Sequence, residues 1–408
     1  MKDFMAILLG SDDNVYGFAR SIHELYGIKP IALATHQLEP TKNSQILVVK
    51  CIPNLHEGNN LILELNKLSK ELKKEYKKLF IIPCSDAYME LLVKYQRDLK
   101  GYENEFISYK ELKEFNDKES FYKLCDKYNL LYPKSKICTK ENYKKVLKKI
   151  DYTYPLILKP NNSNSLEYLE AEFENKEKVY FIDDLNALTS TIENIYSSSY
   201  KDDLIIQEYV HGDDTFMRVL NVYSDKYGKV KMMSLGQPIL EEYHPKTYGN
   251  YAAILSKREH ISLMDDIKNF LEAINYKGAA NFDIKMDEKT HKYYVFEINP
   301  RPGRSSFFTY PAGCSFAECY VEDLVYGDLK PKIDNKEEIL WLNVPLILVH
   351  KYVKNKEILS KVKELKSKNK IYHTLRYKND NSIKRIMTCS INYLRKIKYY
   401  PKYYIDKK

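Results

Sequence analysis

The sequence has 408 residues, of which 44% are hydrophobic and 30% charged, a balance that excludes a largely disordered chain and predicts two or three globular domains. Lys and Arg number 65 against 56 Asp and Glu, a formal net charge of +9, which leaves an anionic substrate or surface open. No apolar run approaches the roughly 18 residues that cross a bilayer, and the seven scattered cysteines form no CxxC pair, which predicts free thiols in a reducing cytoplasm.

The first third of the sequence alternates short apolar runs with amphipathic stretches, which predicts an α/β unit with a parallel sheet. Its predicted strands are Phe4–Leu9, Ile31–Ala34, Ile46–Val49 and Leu79–Pro83. Its predicted helices are Val15–Leu25, Leu61–Lys74 and Ala87–Tyr95, the last capped by Ser85 or Asp86. The turn Gly10–Gly17 follows the first strand, at the edge where such folds bind ligands. Its residues lack GxGxxG spacing, so a substrate contact and a plain helix cap both stay open.

The middle of the sequence, Leu112–Lys330, has a stronger strand signal. Its predicted strands are Leu156–Lys159, Val179–Ile182, Leu204–Glu208, Phe216–Tyr223, Lys229–Leu235, Ala280–Met286 and Tyr293–Ile298. Its predicted helices are Lys118–Tyr128, Tyr143–Lys149, Asp184–Tyr196, Leu263–Ile274 and Phe316–Tyr326. The remaining residues are basic, rich in Tyr and mixed in pattern. We therefore predict three domains, with the boundaries 1–111, 112–330 and 331–408.

The clearest chemical signal lies on the last two predicted strands, which a short turn joins into a hairpin. Asp283 and Glu297 can face the same side of adjacent strands, and Asn299 shares the face of Glu297 because side chains alternate along a strand. Two carboxylates and an amide oxygen suit Mg²⁺ shared with nucleotide phosphates. Arg301 and Arg304 follow at once, and their forked donors suit a carboxylate or phosphoryl group. An amphipathic hairpin with a polar cross-strand pair would not explain the run Glu-Ile-Asn-Pro-Arg.

Two further segments carry weaker signals. Lys159 ends an apolar strand, where it can neutralise a phosphate, although the pattern taken by itself favours a strand-end lysine without a function. The segment Leu204–Asp214 runs from a buried strand into an extended stretch. Its backbone groups can hydrogen-bond an adenine edge, and its carboxylates can accept hydrogen bonds from a ribose.

In this order and spacing, the three segments resemble the ATP-grasp superfamily, with residues 112–330 as the ATP-grasp domain. The first third resembles the α/β parallel-sheet domain that precedes the grasp in these enzymes. The implied fold therefore combines α/β and α+β parts. The resemblance implies ATP and Mg²⁺ as cofactors, with Mn²⁺ as an alternative metal.

The resemblance also implies roles for single residues. Lys118, within Asn116–Phe121, and Lys159 are implied to contact phosphates, and Lys159 and Arg301 to be catalytic. The implied metal ligands are Asp283, Glu297 and Asn299. The implied acid-binding residues are Arg301, Arg304 and Ser305. The implied nucleotide-binding residues include Gln207, Glu208, Tyr209, Val210 and Asp214, the last as a ribose or metal-side carboxylate.

A narrower set of segments resembles D-aspartate ligases. These segments are Leu9–Glu24, Tyr26–Lys29, Lys159–Ser163, Tyr248–Ala253, Gly303–Phe308, Trp341–Pro345 and Lys384-Arg385. Such bacterial enzymes phosphorylate the side-chain carboxylate of D-aspartate and couple it to the lysine ε-amine of a peptidoglycan precursor in the cytoplasm. The resemblance therefore implies an ADP-forming acid–amine ligase. An acyl phosphate hydrolyses in water, and Asn161–Ser165 has the composition of a closing lid or of a plain surface turn.

Several alternatives stay open. The chain could be an ATP-grasp ligase for another amino acid or peptide acceptor. It could instead be a basic module in which the cations and aromatics of Arg395–Tyr404 contact nucleic acid or an anionic membrane. The ligase interpretation requires no nucleic acid, permits peripheral membrane contact through the tail, and leaves the oligomeric state open. His211, His244 and His260 are candidates for a general base only because they are histidines in the middle region.

Overall fold

The computed structural model describes residues 1–161, 166–244, 247 and 249–404. The chain divides into two compact units. Unit 1 comprises Met1–Phe115, Asp213–Ile284 and Ile298–Lys408, and unit 2 comprises Asn116–Gly212 and Lys285–Glu297. The region after residue 330 thus belongs to the same unit as the start of the chain, while the three-domain division stays a prediction. Of the predicted lid only Asn161 lies within the described residues, and Tyr248 lies outside them.

Helices and strands alternate along most of the chain. The strands are β1 (Lys2–Leu9), β2 (Ile31–Ala34), β3 (Val48–Cys51), β4 (Tyr76–Pro83), β5 (Ser135–Cys138), β6 (Leu156–Pro160), β7 (Tyr180–Ile182), β8 (Leu204–Glu208), β9 (Met217–Ser224), β10 (Val230–Glu241), β11 (Tyr251–Ser256), β12 (Gly278–Met286), β13 (Tyr293–Asn299), β14 (Lys332–Ile333), β15 (Leu340–Leu342) and β16 (Ile371–His373). The helices are α1 (Asp13–Tyr26), α2 (Asn60–Leu72), α3 (Asp86–Tyr95), α4 (Tyr109–Asn116), α5 (Lys118–Tyr128), α6 (Tyr143–Leu147), α7 (Leu166–Glu170), α8 (Leu185–Ser197), α9 (Ser262–Ala273), α10 (Phe316–Tyr320), α11 (Leu346–Tyr352), α12 (Lys356–Ser367) and α13 (Ile383–Tyr403). A π-helical turn, Val321–Tyr326, extends α10, and short 3₁₀ turns lie at Glu39–Thr41, Gln96–Asp98, Asp214–Phe216 and Ser306–Thr309.

The first sheet of unit 1 has the order β3-β2-β1-β4 with every pair parallel. A strand covered on both faces reads as a continuous apolar run, and every residue of Phe4–Leu9 is buried. The predicted α/β parallel sheet is therefore confirmed. β3 begins two residues later than predicted, because Ile46 and Leu47 pack into the core before pairing with β2 starts at Val48.

The second sheet has the order β13-β12-β9-β10-β11-β15-β16, with β14 also paired to β10. β10 continues past its predicted end at Leu235 to Glu241 and pairs antiparallel with β9 and β11. At Gly236 an added Cβ would lie 2.6 Å from a methyl of Ile254 and 2.9 Å from the ring of Phe308. Glycine is therefore required for the close packing of β10 against β11 and the segment that follows Arg304.

Unit 2 contains an antiparallel sheet of order β5-β8-β6-β7. Its core is formed by apolar residues of β6 and β8 packed against α8, among them Leu158, Ile192 and Ile206. The predicted strands at β6 and β8 are confirmed, and β8 has the predicted bounds, Leu204–Glu208. β5 has no counterpart among the predicted strands, because Ser135–Cys138 offers only four residues of mixed polarity.

The basic, Tyr-rich end of the chain forms α13, which packs onto unit 1 through one face. Two charged side chains of that face are nearly fully buried, and each has a carboxylate partner. Lys396 Nζ lies 3.0 Å from Glu242 Oε1, and Arg385 Nε lies 3.4 Å from Asp380 Oδ2. Among the residues that the structure describes, no helix is both long and apolar enough to cross a membrane.

Glu242 collects more hydrogen bonds than its lysine partner alone supplies. Its carboxylate also accepts from Asn343 Nδ2 at 3.1 Å, Thr247 Oγ1 at 2.8 Å and Tyr399 OH at 3.2 Å. Burial by itself would raise the pKa of Glu242, but the charges of Lys396 and Arg304 and these hydrogen bonds hold it below its usual value. Glu242 is therefore a buried anion that the C-terminal helix neutralises.

Replacing Lys396 by Met should lower the free energy of unfolding by about 3–5 kcal/mol, because Glu242 is then buried without its cation. Urea denaturation at pH 7 measures this loss, and Lys398→Met on the exposed face of the same helix is the matched control. The difference between wild type and variant should shrink as pH falls, because without Lys396 burial raises the pKa of Glu242 in the variant, and protonation then removes its unpaired charge. An unchanged midpoint at pH 7 would contradict the assignment.

Candidate functional site

Lys159 stands at the end of β6 and is held by a neighbouring strand of unit 2. Its Nζ donates to Gln207 Oε1 at 3.0 Å, and Gln207 Nε2 donates to Tyr122 OH at 2.9 Å and Ser135 Oγ at 2.8 Å. Gln207 is almost fully buried, so its amide has a fixed orientation. The side chain predicted to contact the nucleotide therefore positions Lys159 in the structure.

Two further charged groups of unit 2 surround this lysine. Lys118, the first residue of α5, lies 3.3 Å from Glu297 Oε2 through its Nζ. Burial and the charge of Lys118 lower the pKa of Lys159 to about 7, and Glu297 opposes that shift. A bound anion would stabilise both lysines in their charged forms. Lys118 contacts Glu297 and Lys159 contacts Gln207, and the charges of Lys118 and Glu297 both act on Lys159.

The predicted nucleotide-binding residues after β8 line a cavity of about 200 Å³ within unit 2. Glu208, Tyr209 and Val210 form part of its wall together with Asp287 and Tyr294. Pockets that combine apolar walls with a few fixed polar groups are the usual places for small ligands. The cavity has the chemistry required of a planar base, with backbone groups at one edge and aromatic rings beside it.

Asp287 fixes the geometry of that cavity and was seen in the sequence only as part of a turn. Its carboxylate accepts from the backbone N–H of His211 at 2.9 Å and of Thr290 at 2.8 Å. Burial would raise the pKa of Asp287, but the hydrogen bonds from His211 and Thr290 lower it to about 2. The Asp287 carboxylate therefore links the hairpin turn to the segment that contains His211.

The remaining predicted metal ligands lie in unit 1, on β12 and β13, which are neighbouring strands. Asp283 Oδ1 accepts from Tyr251 OH at 2.7 Å, and Asn299 Oδ1 lies 3.5 Å from Arg301 Nη2. Two carboxylates and one amide are hard oxygen donors, which fits Mg²⁺. Within the described ranges, no group of three or more His, Cys, Asp or Glu side chains could hold a metal.

The Arg301 side chain binds the carboxylate of Asp86. Its Nε and Nη2 donate to the two oxygens of Asp86, at 2.5 and 2.7 Å, in a bidentate pair at the start of α3. The guanidinium is largely buried, whereas 67% of the Asp86 side chain is exposed. The pairing shows that this guanidinium is oriented for a planar carboxylate.

A second arginine, Arg304, contacts a carboxylate at the start of α1. Its Nη2 lies 3.0 Å from Asp13 Oδ2, and its buried Nε has no hydrogen-bond partner among the described residues. Although burial disfavours the charge, Asp13 and Glu242 raise the pKa of Arg304. Asp12 accepts from the backbone N–H of Asn14 and Val15 and thus caps α1, so the helix-cap interpretation of the turn after β1 is confirmed. Ser305 is buried beside Arg304.

Asp214 and the histidines make other contacts. Asp214 Oδ2 accepts from Tyr243 OH at 3.0 Å in unit 1, and its ribose role stays a prediction. His260 lies between Asp265 and Asp334, which raise its pKa through hydrogen bonds. His244 packs against two tyrosine rings of α13. None of these arrangements singles out a general base.

Sequence reasoning missed the partners of the predicted arginines and lysines. Asp86 was noted only as a helix cap and Asp13 only within a turn, although both follow parallel strands at the ligand-binding edge. Glu242 and Lys396 gave no signal, because 154 residues separate them.

Comparison with known proteins places the chain near several ligases. The family model described as the ATP binding domain of the carbamoyl-phosphate synthase L chain matches residues 244–314. The chain is 36% identical to a D-aspartate ligase of Enterococcus faecium, over 98% of this chain and 97% of that protein.

Solved structures with low sequence identity share the fold. An N5-carboxyaminoimidazole synthetase from Staphylococcus aureus complexed with ADP has a TM-score of 0.58 at 12% identity and covers 83% of each chain. The biotin carboxylase domain of a Hydrogenobacter thermophilus 2-oxoglutarate carboxylase, in complex with MgADP, has a TM-score of 0.60 at 15% identity, over 83% of this chain and 74% of that chain. The predicted ATP-grasp fold is confirmed.

The coupling around Lys159 predicts pKa changes of opposite sign. Lys118→Met should raise the pKa of Lys159, because a neighbouring positive charge is removed, whereas Glu297→Gln should lower it, because the stabilising anion is lost. An NMR titration of the Lys159 side-chain ¹³Cε resonance, assigned with Lys159→Arg, measures both changes. Lys123→Met, on the exposed side of the same helix as Lys118, is the control and should leave the titration unchanged. Shifts of the same sign would rule out the coupling.

Proposed function

The chain belongs to the D-aspartate ligase family of ATP-grasp enzymes, and we propose that it joins D-aspartate to the side-chain amine of a lysine in a peptidoglycan precursor. It is an ATP-dependent acid–amine ligase that forms ADP. The observation that carries the finer proposal is the likeness to a D-aspartate ligase along almost the whole of both chains. Arg301 and Arg304 each bind a carboxylate of the chain, which supports the binding of an acidic substrate by the same side chains.

The reaction follows from the poor reactivity of a carboxylate toward an amine. The carboxylate oxygen of the acid attacks the γ-phosphorus of ATP, the bond to the bridging oxygen breaks, and ADP leaves. The amine nitrogen then attacks the acyl carbon, inorganic phosphate leaves, and the nitrogen gives up a proton. Catalysis of the first step consists of positioning and charge neutralisation, which is what lysines and a metal ion supply.

We assign binding of the ATP phosphates to Lys118 and Lys159. The Gln207 amide would position Lys159. The support is electrostatic: burial and the charge of Lys118 lower the pKa of Lys159, and a phosphate nearby would stabilise the charged forms of both lysines. The backbone of Glu208–Val210 would then hold the adenine in the cavity that these residues line.

Asp283, Glu297 and Asn299 would hold Mg²⁺, since their donors are all oxygen. When bound, the ion neutralises phosphate charge that the lysines do not reach. Glu297 also pairs with Lys118, so the same carboxylate would link the metal site to the lysine assigned to the phosphates.

We assign binding of the acid substrate to Arg301 and Arg304, with Ser305 beside them. Asp86 presents to Arg301 the same chemical group that an aspartate substrate would present, a carboxylate bound through two hydrogen bonds. Because Asp86 is mostly exposed, a substrate carboxylate can displace it at small cost. Arg304 keeps one uncommitted donor for a second carboxylate, and an aspartate carries two carboxylates.

An ADP-release assay with a panel of acids tests the proposed substrate. D-aspartate, L-aspartate, D-glutamate, D-alanine and D-asparagine are each supplied with a lysine-containing peptidoglycan precursor and, in parallel, with an acceptor in which lysine is replaced by alanine. We expect the highest kcat/KM with D-aspartate, and turnover only with the lysine acceptor. A higher kcat/KM with another acid would agree with ligase activity but contradict D-aspartate as the substrate.

Variants of the Arg301–Asp86 pair should change the KM for the acid in opposite directions. Arg301→Ala should raise that KM by about 10-fold or more, because a bidentate charged contact is lost, whereas Asp86→Asn should lower it by up to about fivefold by removing the competing carboxylate. Steady-state kinetics at saturating ATP measure both, and the exposed Arg97→Ala is the matched control. An equal rise in the KM for ATP and for the acid in Arg301→Ala would contradict the acid-binding role.

A further inference from the structure

The outward face of α13 is apolar although it contacts solvent. Six large apolar side chains of this helix are exposed, by between 40% and 79%. They are Ile383, Ile386, Met387, Ile391, Leu394 and Ile397. Successive members are three or four residues apart, apart from the neighbours Ile386 and Met387, so they form one stripe along the helix. We call these six residues the apolar stripe.

The opposite face of the helix prevents the stripe from turning inward. Arg385, Cys389, Tyr393, Lys396 and Tyr400 are buried against unit 1. Lys396 binds Glu242 and the Asn343 carbonyl, the latter at 2.6 Å. Rotating the helix to bury the stripe would leave the Glu242 charge without its cation, which is far costlier than exposing apolar side chains. The stripe is therefore presented to solvent by the fold itself.

Positive charge runs along one edge of the stripe. Lys384, Arg395, Lys398 and Lys402 are exposed and recur at spacings that place them on one side of the helix. The described helix contains no Asp or Glu. Arg395 has a distant partner, Glu39, at 3.8 Å. An apolar face bordered by cations and free of carboxylates on its helix is complementary to a surface that offers both anions and hydrocarbon.

We propose that the apolar stripe and its cationic edge form a docking surface for an anionic lipid bilayer. The helix would lie in the plane of the interface, with the stripe among the acyl chains and the four cations at the headgroups. A second copy of this chain is a poorer occupant, since the same face offers four more cations and its helix has no carboxylate. The proposal does not depend on which acid or acceptor the ligase uses.

Vesicle co-sedimentation of the full chain tests this surface. Vesicles of phosphatidylcholine containing phosphatidylglycerol should pellet the protein, whereas vesicles of phosphatidylcholine alone should retain at least about tenfold less. Raising the salt concentration should weaken binding, because the headgroup contacts are screened. Equal binding to both vesicle types, or to neither, would overturn the proposal.

Matched substitutions separate the stripe from general surface effects. Leu394→Glu should weaken binding to anionic vesicles about tenfold or more, whereas Leu63→Glu, an equally exposed leucine on α2, should leave it unchanged. Lys398→Glu should weaken binding, and the exposed Lys110→Glu on α4 is its control. Truncating the helix is not a suitable test, because it removes the buried Lys396 and Tyr400. Equal effects of a stripe variant and its control would overturn the proposal.

Two measurements without lipid complete the test. Circular dichroism melting of Leu394→Glu should match wild type, and sedimentation velocity should give the same mass for both proteins. A loss of oligomer in Leu394→Glu would assign the stripe to a second copy of the chain and overturn the bilayer proposal. ADP release in lipid-free solution reports separately on the ligase, so failure of one proposal is distinguishable from failure of the other.

Discussion

The buried carboxylate of Glu242 is the constraint on which unit 1 depends. An anion in the interior is tolerated only with a cation and enough hydrogen-bond donors. Here the cation is Lys396, and the other donors come from Asn343, Thr247 and Tyr399. These residues come from parts of the chain that are far apart in sequence, so one charge holds the end of the chain against the middle of the second sheet. The tail is consequently part of the core.

The charge of Glu242 also acts on Arg304, which we assign to binding of the acid substrate. Glu242 and Asp13 both raise the pKa of Arg304, and Arg304 and Lys396 both lower the pKa of Asp13. Carboxylates and cations thus nearly balance in this cluster of unit 1. The cluster in unit 2 is different, because Lys118 lies near enough to Lys159 to lower its pKa. A bound anion would stabilise both lysines, which is the physical basis for assigning the phosphates to unit 2.

Local pattern was enough to predict most of what lies near the proposed chemistry. The run Phe4–Leu9 predicted a buried parallel strand because both of its faces are covered, and Leu204–Glu208 matched β8 residue for residue. Lys118, Lys159 and Glu297 were grouped by resemblance, and the structure brings their side chains together. The predictions were less accurate where an element depends on its neighbours. β10 runs on to Glu241 and β11 follows it because each supplies the other's hydrogen bonds, which no short stretch of sequence contains.

Sequence patterns alone predicted the first parallel sheet and several strands and helices of the middle region, because hydrophobic periodicity and helix caps act over a few residues. The partners of the charges could be identified only in the folded chain. Arg301 meets Asp86 across 215 positions, and Lys396 meets Glu242 across 154. A buried cation needs a carboxylate partner, but the sequence does not show which carboxylate this is. Any carboxylate that the fold brings within reach can serve. The positive charges of the chain thus include cations paired with carboxylates inside unit 1, the two neighbouring lysines of unit 2, and the exposed edge of α13.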